Sequence, residues 1–206
     1  MKSNHALKNL ALDSLEGKWG RSIVASMIVL VVVGGLYAAL FTANQYVAHS
    51  SLLFMFPLLW GAVIYFLRLV RGESLGFGRL FDGYGVQNLF RVMFTLWLQN
   101  FIIALSSLLL IVPGIMVGCA YAMTPFILKD RPDLQYYAVL KESTRMMKGH
   151  KVEYFLLQLS FLGWAILSIL TAGIGLLWFI PYVQTTTAHF YEQLKAEQPA
   201  AEPSAL

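Results

Sequence analysis

The groups in this chain that could do chemistry fall into two sets that do not mix. Inside its long apolar stretches the polar side chains are neutral: Thr95, Gln99 and Asn100, then Gln158 and Ser160, then Gln184 ahead of Thr185, Thr186 and Thr187. Amides at that depth could line a path for a neutral or amphipathic small molecule. They could equally hydrogen-bond one helix to another, a contact worth roughly 0.5–2 kcal/mol in a membrane. No carboxylate pair, H-x-x-x-H or C-x-x-C occurs in those stretches, so acid–base catalysis and a metal centre have no residues there. His49 and His189 are isolated, and the single cysteine, Cys119, has no partner for a disulfide or a metal. Nothing calls for a cofactor. Ion-coupled transport lacks the acidic group that would hold its ion.

The ionised set lies in the segments flanking the stretches. Lys18 with Trp19, Arg79, Arg91, Lys148 and Lys151 read as interfacial contacts to anionic lipid headgroups, with basic heads carried on apolar stems. Asp130, Asp133 and Glu142 are the carboxylates that an enzyme acting on headgroups at that interface would use. The net charge of +4 arises from these boundary residues and not from a basic stripe on a soluble fold, which argues against nucleic acid as a partner. Three functions follow, in order. The first is a non-enzymatic membrane protein that binds lipid or a partner. The second is a transporter or channel for a neutral or amphipathic molecule, lined by the four amides. The third is the interface enzyme. A second copy of the chain or another protein could serve as partner.

What positions these groups is a bilayer. The 206 residues are 58% hydrophobic and 13% charged, about half the charge of a typical soluble domain. Ser22–Leu67, Val92–Leu128 and Tyr154–Tyr191 contain no Asp, Glu, Lys or Arg. A helix needs about 20 residues to cross the hydrocarbon core, so each stretch is too long for one crossing and near the length of two. Turn signals divide them: Asn44-Gln45 with His49-Ser50-Ser51, then Pro113-Gly114, then the run from Thr171 to Gly175 around Gly173. The expected fold is all-α: a polytopic membrane bundle of six transmembrane helices in three hairpins, near 22–67, 92–128 and 154–191. The second and third hairpins are slightly short, and a re-entrant pair would carry the same charge pattern. One domain covers 1–194, and the Pro199- and Pro203-bearing segment 195–206 reads as a disordered tail. The amino end lacks the apolar run of a cleavable signal. All Lys and Arg lie on the connector side of the hairpins, which places both termini in the cytoplasm.

The hairpins resemble one another. Gly17, Gly83 and Gly149 precede them at equal intervals of 66 residues, the mark of an internal repeat. Each glycine follows a short amphipathic segment and suits the left-handed residue that closes a helix. Each return helix carries a proline, at Pro57, Pro125 and Pro181. The predicted unit is an interfacial helix, a glycine stop and a hairpin with a kinked second arm. Gly34-Gly35, Gly114 with Gly118, and Gly173 with Gly175 allow close helix contact.

Several stretches carry a family likeness: Ile111–Ile115, Tyr121–Pro125, Leu128–Pro132, Lys141–Ser143, Met146–Gly149, Leu159–Trp164, Leu170–Gly175, Pro181-Tyr182 and Phe190-Tyr191, with Gly17–Gly20 at the start. Together they resemble a bacterial integral-membrane family known as domain of unknown function 975. The resemblance implies a multi-pass protein of the bacterial inner membrane. It brings no catalytic residues and no ligand.

Overall fold

Apolar side chains face outward over much of this molecule. Val31, Leu108, Ile111, Ile169 and Leu170 are each two-thirds or more exposed. In water such a surface would carry a penalty of about 25 cal/mol for each Å²; in hydrocarbon it carries none. The computed structural model describes residues 2–85, 88–171 and 173–197, which form helices and no strand. Four helical segments are long and apolar enough to cross a membrane: Trp19–Thr42, Leu89–Leu108, Ile111–Asp130 and Lys151–Leu170. Phe54–Val70 is a shorter apolar helix. The described residues make an all-helical protein whose long apolar helices suit a membrane.

Helix α1 (Asn4–Leu15) starts at Ser3, whose hydroxyl accepts from the Ala6 N–H, and it buries Leu7, Ala11 and Leu15 along one face. Gly17, at φ +69°, turns the chain into α2 (Trp19–Ala43). Only Asn44 separates α2 from α3 (Gln45–Val70); it is extended, and its side chain accepts from the Tyr46 N–H to cap the new helix. A 3₁₀ segment, Phe77–Tyr84, folds back on α3. Then follow α4 (Leu89–Leu109), α5 (Ile111–Ala120), α6 (Thr124–Asp130), α7 (Tyr137–Met146), α8 (Lys151–Leu159), α9 (Leu162–Leu170) and α10 (Leu176–Glu197). Short breaks at Tyr121–Met123 and Ser160-Phe161 divide the α5–α6 and α8–α9 rods.

The contacts set the rods antiparallel. Arg91 on α4 reaches the carbonyls of Leu128 and Arg131, Gln99 reaches that of Tyr121, and Ser107 lies against Gly114. On the other side Tyr154 packs on Phe190 and Phe161 on Tyr182, each at 5.3 Å between rings, and Ser168 lies against Gly175. Each pair therefore has a charged end and a tip. One core joins the pairs through Trp60, Phe126, Phe190 and Tyr191, and a second holds α1, α2 and α3 together through Leu15, Tyr65, Phe66 and Leu80. Helix α1 is tied beneath the bundle by Lys8, which donates to the Ser160 carbonyl at 3.1 Å, and by Ser14 and His189 at 2.8 Å.

Several turns differ from expectation. The first tip contracts to Asn44, because its side chain caps α3 at once; His49, Ser50 and Ser51 are already helical. The second tip is Leu110, at φ −159° and ψ 142°, and not Pro113-Gly114. Pro113 falls in the first turn of α5, where a missing N–H leaves no bond unmade. Gly173, at φ +85°, does make the third turn. Gly149 closes a helix at φ +88°, but Gly83 is not left-handed; a Cβ there would sit 2.9 Å from Pro57 Cα, so close approach is what requires glycine. Pro57 and Pro181 lie inside helices, whereas Pro125 starts one. Lys195–Glu197 continue α10 and are not tail; 198–206 lie outside the described residues.

Candidate functional site

Cations at the charged end of the bundle surround a cavity of about 760 Å³. Its walls come from Tyr121 at the end of α5, from Arg131 and Leu134 in the connector, and from α7 and the start of α8, with Lys141, Arg145, Lys148 and Lys151. The sequence folds this way because α7 is sharply two-faced. Val139, Leu140, Ser143 and Met146 are buried, and Ser143 donates to the Ala120 carbonyl at 2.8 Å. That bond lays α7 along the α5 end and leaves Lys141 and Arg145 on the open side.

Two of the five cations are already paired. Arg131 is 3.1 Å from Asp133, and Arg145 is 2.6 Å from Glu142. These bonds hold Asp133 below the usual carboxylate range and raise the Arg145 guanidinium above its own. Lys141, Lys148 and Lys151 have no anionic partner among the described residues. The walls therefore present three uncompensated positive charges in a recess large enough for a drug-sized ligand. Lysine is a mobile point charge with three donors, suited to phosphate oxygens more than to a fixed planar partner.

A second charged cluster ties the bundle and leaves little open. Arg71, just past α3, is bidentate to Asp130 at 2.8 and 2.6 Å and donates through Nε to Glu192 at 2.8 Å. Tyr191 and Lys195 also donate to Asp130, at 3.0 and 2.7 Å. The Asp130 bond above all raises the Arg71 pKa, against burial, so the guanidinium stays charged. Two cations face two anions, and the cluster is neutral. It fastens the ends of α3, α6 and α10.

The residues singled out from sequence divide accordingly. Lys148 and Lys151 line the cavity. Arg91 does not face it with a free charge: its guanidinium donates to the carbonyls of Leu134, Leu128 and Arg131 at 2.9, 3.1 and 2.7 Å, and so caps α6. Arg79 is exposed and donates to Ser74 at 3.4 Å. Lys18 precedes α2. Trp19 joins Leu12, Trp164 and Trp178 around an apolar groove of about 400 Å³. Of the four amides, Gln99 bonds to Tyr121 and Asn100 to Leu96 in its own helix; Gln158 on α8 and Gln184 on α10 are half-buried. None of the four hydrogen-bonds to another among the described residues. Sequence reasoning passed over Tyr121, Tyr137 and Lys141 as a site. The readable signal was the helical spacing of Lys141 and Arg145 on α7 and of Lys148 in the turn just past it.

Among known families, residues 93–198 match the one described as Protein of unknown function (DUF975). No curated protein and no solved structure matches the chain. The match runs from α4 to the end of α10, over just over half of the chain, and contains every residue lining the cavity. The chain belongs to the DUF975 family.

Proposed function

We propose that this is a non-enzymatic protein of the bacterial inner membrane that holds anionic lipid headgroups in the basic cavity under α7. In this reading the chain crosses the bilayer six times as three hairpins related by an approximate internal repeat, with both termini and the cavity at the cytoplasmic face. The observation that carries it is the trio of unpaired lysines, Lys141, Lys148 and Lys151, around one recess. The outward apolar surface and the clustering of charge at one end of the bundle support the placement.

Each lysine near an anionic surface contributes about 1 kcal/mol, so the trio contributes about 3 kcal/mol, or about 100-fold in affinity. Native mass spectrometry of the purified protein should therefore retain phosphatidylglycerol in preference to phosphatidylcholine. The triple variant K141Q/K148Q/K151Q should lose that preference by about 100-fold. Equal retention of the two lipids by the unaltered protein would sink the proposal.

A further inference from the structure

The cavity has an apolar neighbour. Phe90, Met93, Phe94 and Trp97 recur at helical spacing on α4 and line a groove of about 340 Å³. Phe90 is 75% exposed, and Phe94 and Trp97 are 47% and 40% exposed. The groove and the cavity meet along one seam. The Tyr136 ring packs edge-on against Phe94 at 4.8 Å, and the next residue, Tyr137, lines the cavity. Arg91, between Phe90 and Met93, donates to the carbonyl of Leu134, another cavity wall. Tyr136, at φ +39°, thus stands between a residue of the groove and a residue of the cavity.

We infer that groove and cavity are two halves of one site for a single phosphate-headed lipid, its headgroup among Lys141, Lys148 and Lys151 and an acyl chain along Phe90, Met93, Phe94 and Trp97. This deepens the reading above and rests on it. Charge complementarity selects the occupant. A free phosphate has no use for the aromatic row, and a zwitterionic lipid carries its own cation into a recess that already holds three. A head held by mobile lysines and a chain held by a ridge of rings give selectivity that surface attraction to an anionic bilayer alone does not.

The test places a photo-cross-linking phenylalanine analogue at Phe90, or at Leu108 farther along α4, in full-length protein reconstituted in vesicles of one part phosphatidylglycerol to three parts phosphatidylcholine. Lipid adducts are then identified by mass spectrometry. Position 90 should trap phosphatidylglycerol far above its bulk ratio, up to the about 100-fold preference that the lysine trio supplies. Position 108, which is 84% exposed, should report the bulk ratio. In the K141Q/K148Q/K151Q background the enrichment at position 90 should vanish. A bulk ratio at position 90 in otherwise unaltered protein overturns the inference. If lipid retention still depends on the lysines, only the shared site falls; if it does not, both readings fall. Binding of free glycerol 3-phosphate to the cavity as tightly as of phosphatidylglycerol would show that the cavity takes the phosphate alone, and would also overturn it. Quenching by brominated phosphatidylglycerol, compared between unaltered protein and W97F, gives the same readout without the cross-linker.

Discussion

Asp130 is the acceptor at the centre of the charged cluster, held by Arg71, Tyr191 and Lys195 at once. Its side chain is 11% exposed, so the amide in Asp130→Asn would leave two cations facing a neutral group with little water to help. Removing one partner of such a pair destabilises by about 3–5 kcal/mol when fully buried. Because Arg71 keeps Glu192 and Lys195 reaches water, we expect about 2 kcal/mol, measured by unfolding in mixed micelles. Glu192→Gln should do less, since Glu192 holds Arg71 alone. At the tips a single methyl decides. A Cβ on Gly114 would lie 2.8 Å from Ser107 Cα, and one on Gly175 would lie 2.7 Å from Ser168 Cα. Gly114→Ala and Gly175→Ala should each destabilise by about 1–3 kcal/mol. Gly118→Ala, with nothing within 4 Å, should be neutral or stabilising in the same assay. The sequence showed that small residues gather there. It could not show which of them touch, because contact depends on the partner helix and its rotation.

Among the elements, the long apolar helices were easy to read and their ends were not. Blocks free of Asp, Glu, Lys and Arg mark apolar helices whatever they pack against. A turn depends on one side chain, as when Asn44 caps α3 and shortens a predicted loop to a single residue. The break at Tyr121–Met123 holds no proline or glycine of its own, and only Pro125 in the first turn of α6 marks it. Helix α1 was legible through its apolar stripe, but its seat on α10 was not, since Ser14 and His189 are 175 residues apart in sequence. That seat makes α1 part of the bundle. Leu7 is 1% exposed in the main core. Leu7→Ala should destabilise the whole protein by about 2–4 kcal/mol, read from its loss of monodispersity on heating. A helix merely resting at an interface would show no such loss.

For the whole molecule, charge partition is what the sequence conveys best, because the penalty for an ion in hydrocarbon is large and holds along the entire chain. The cavity was harder to see. Its lysines are ordinary connector residues in sequence, and only the docking of α7 on Ala120 turns them into a recess. The proposed six-crossing arrangement makes a clear prediction for labelling in intact cells. The only native cysteine, Cys119, is buried and gives little background. A membrane-impermeant maleimide added outside should modify Ile174→Cys, at an exposed tip, and leave Lys148→Cys untouched until the cells are opened. Modification of both residues from outside would contradict the proposed orientation.

The fastening around Arg71 also imposes an order on synthesis. Arg71 leaves the ribosome 59 residues before Asp130 and 121 residues before Glu192. A nascent chain arrested between these points has its guanidinium half-engaged, and α3 and α6 are latched while the seat of α10 stands vacant. Closure of this cluster therefore waits for α10, the last made of the three helices that it fastens. A chain cut short before Tyr191 would insert its earlier helices yet never close.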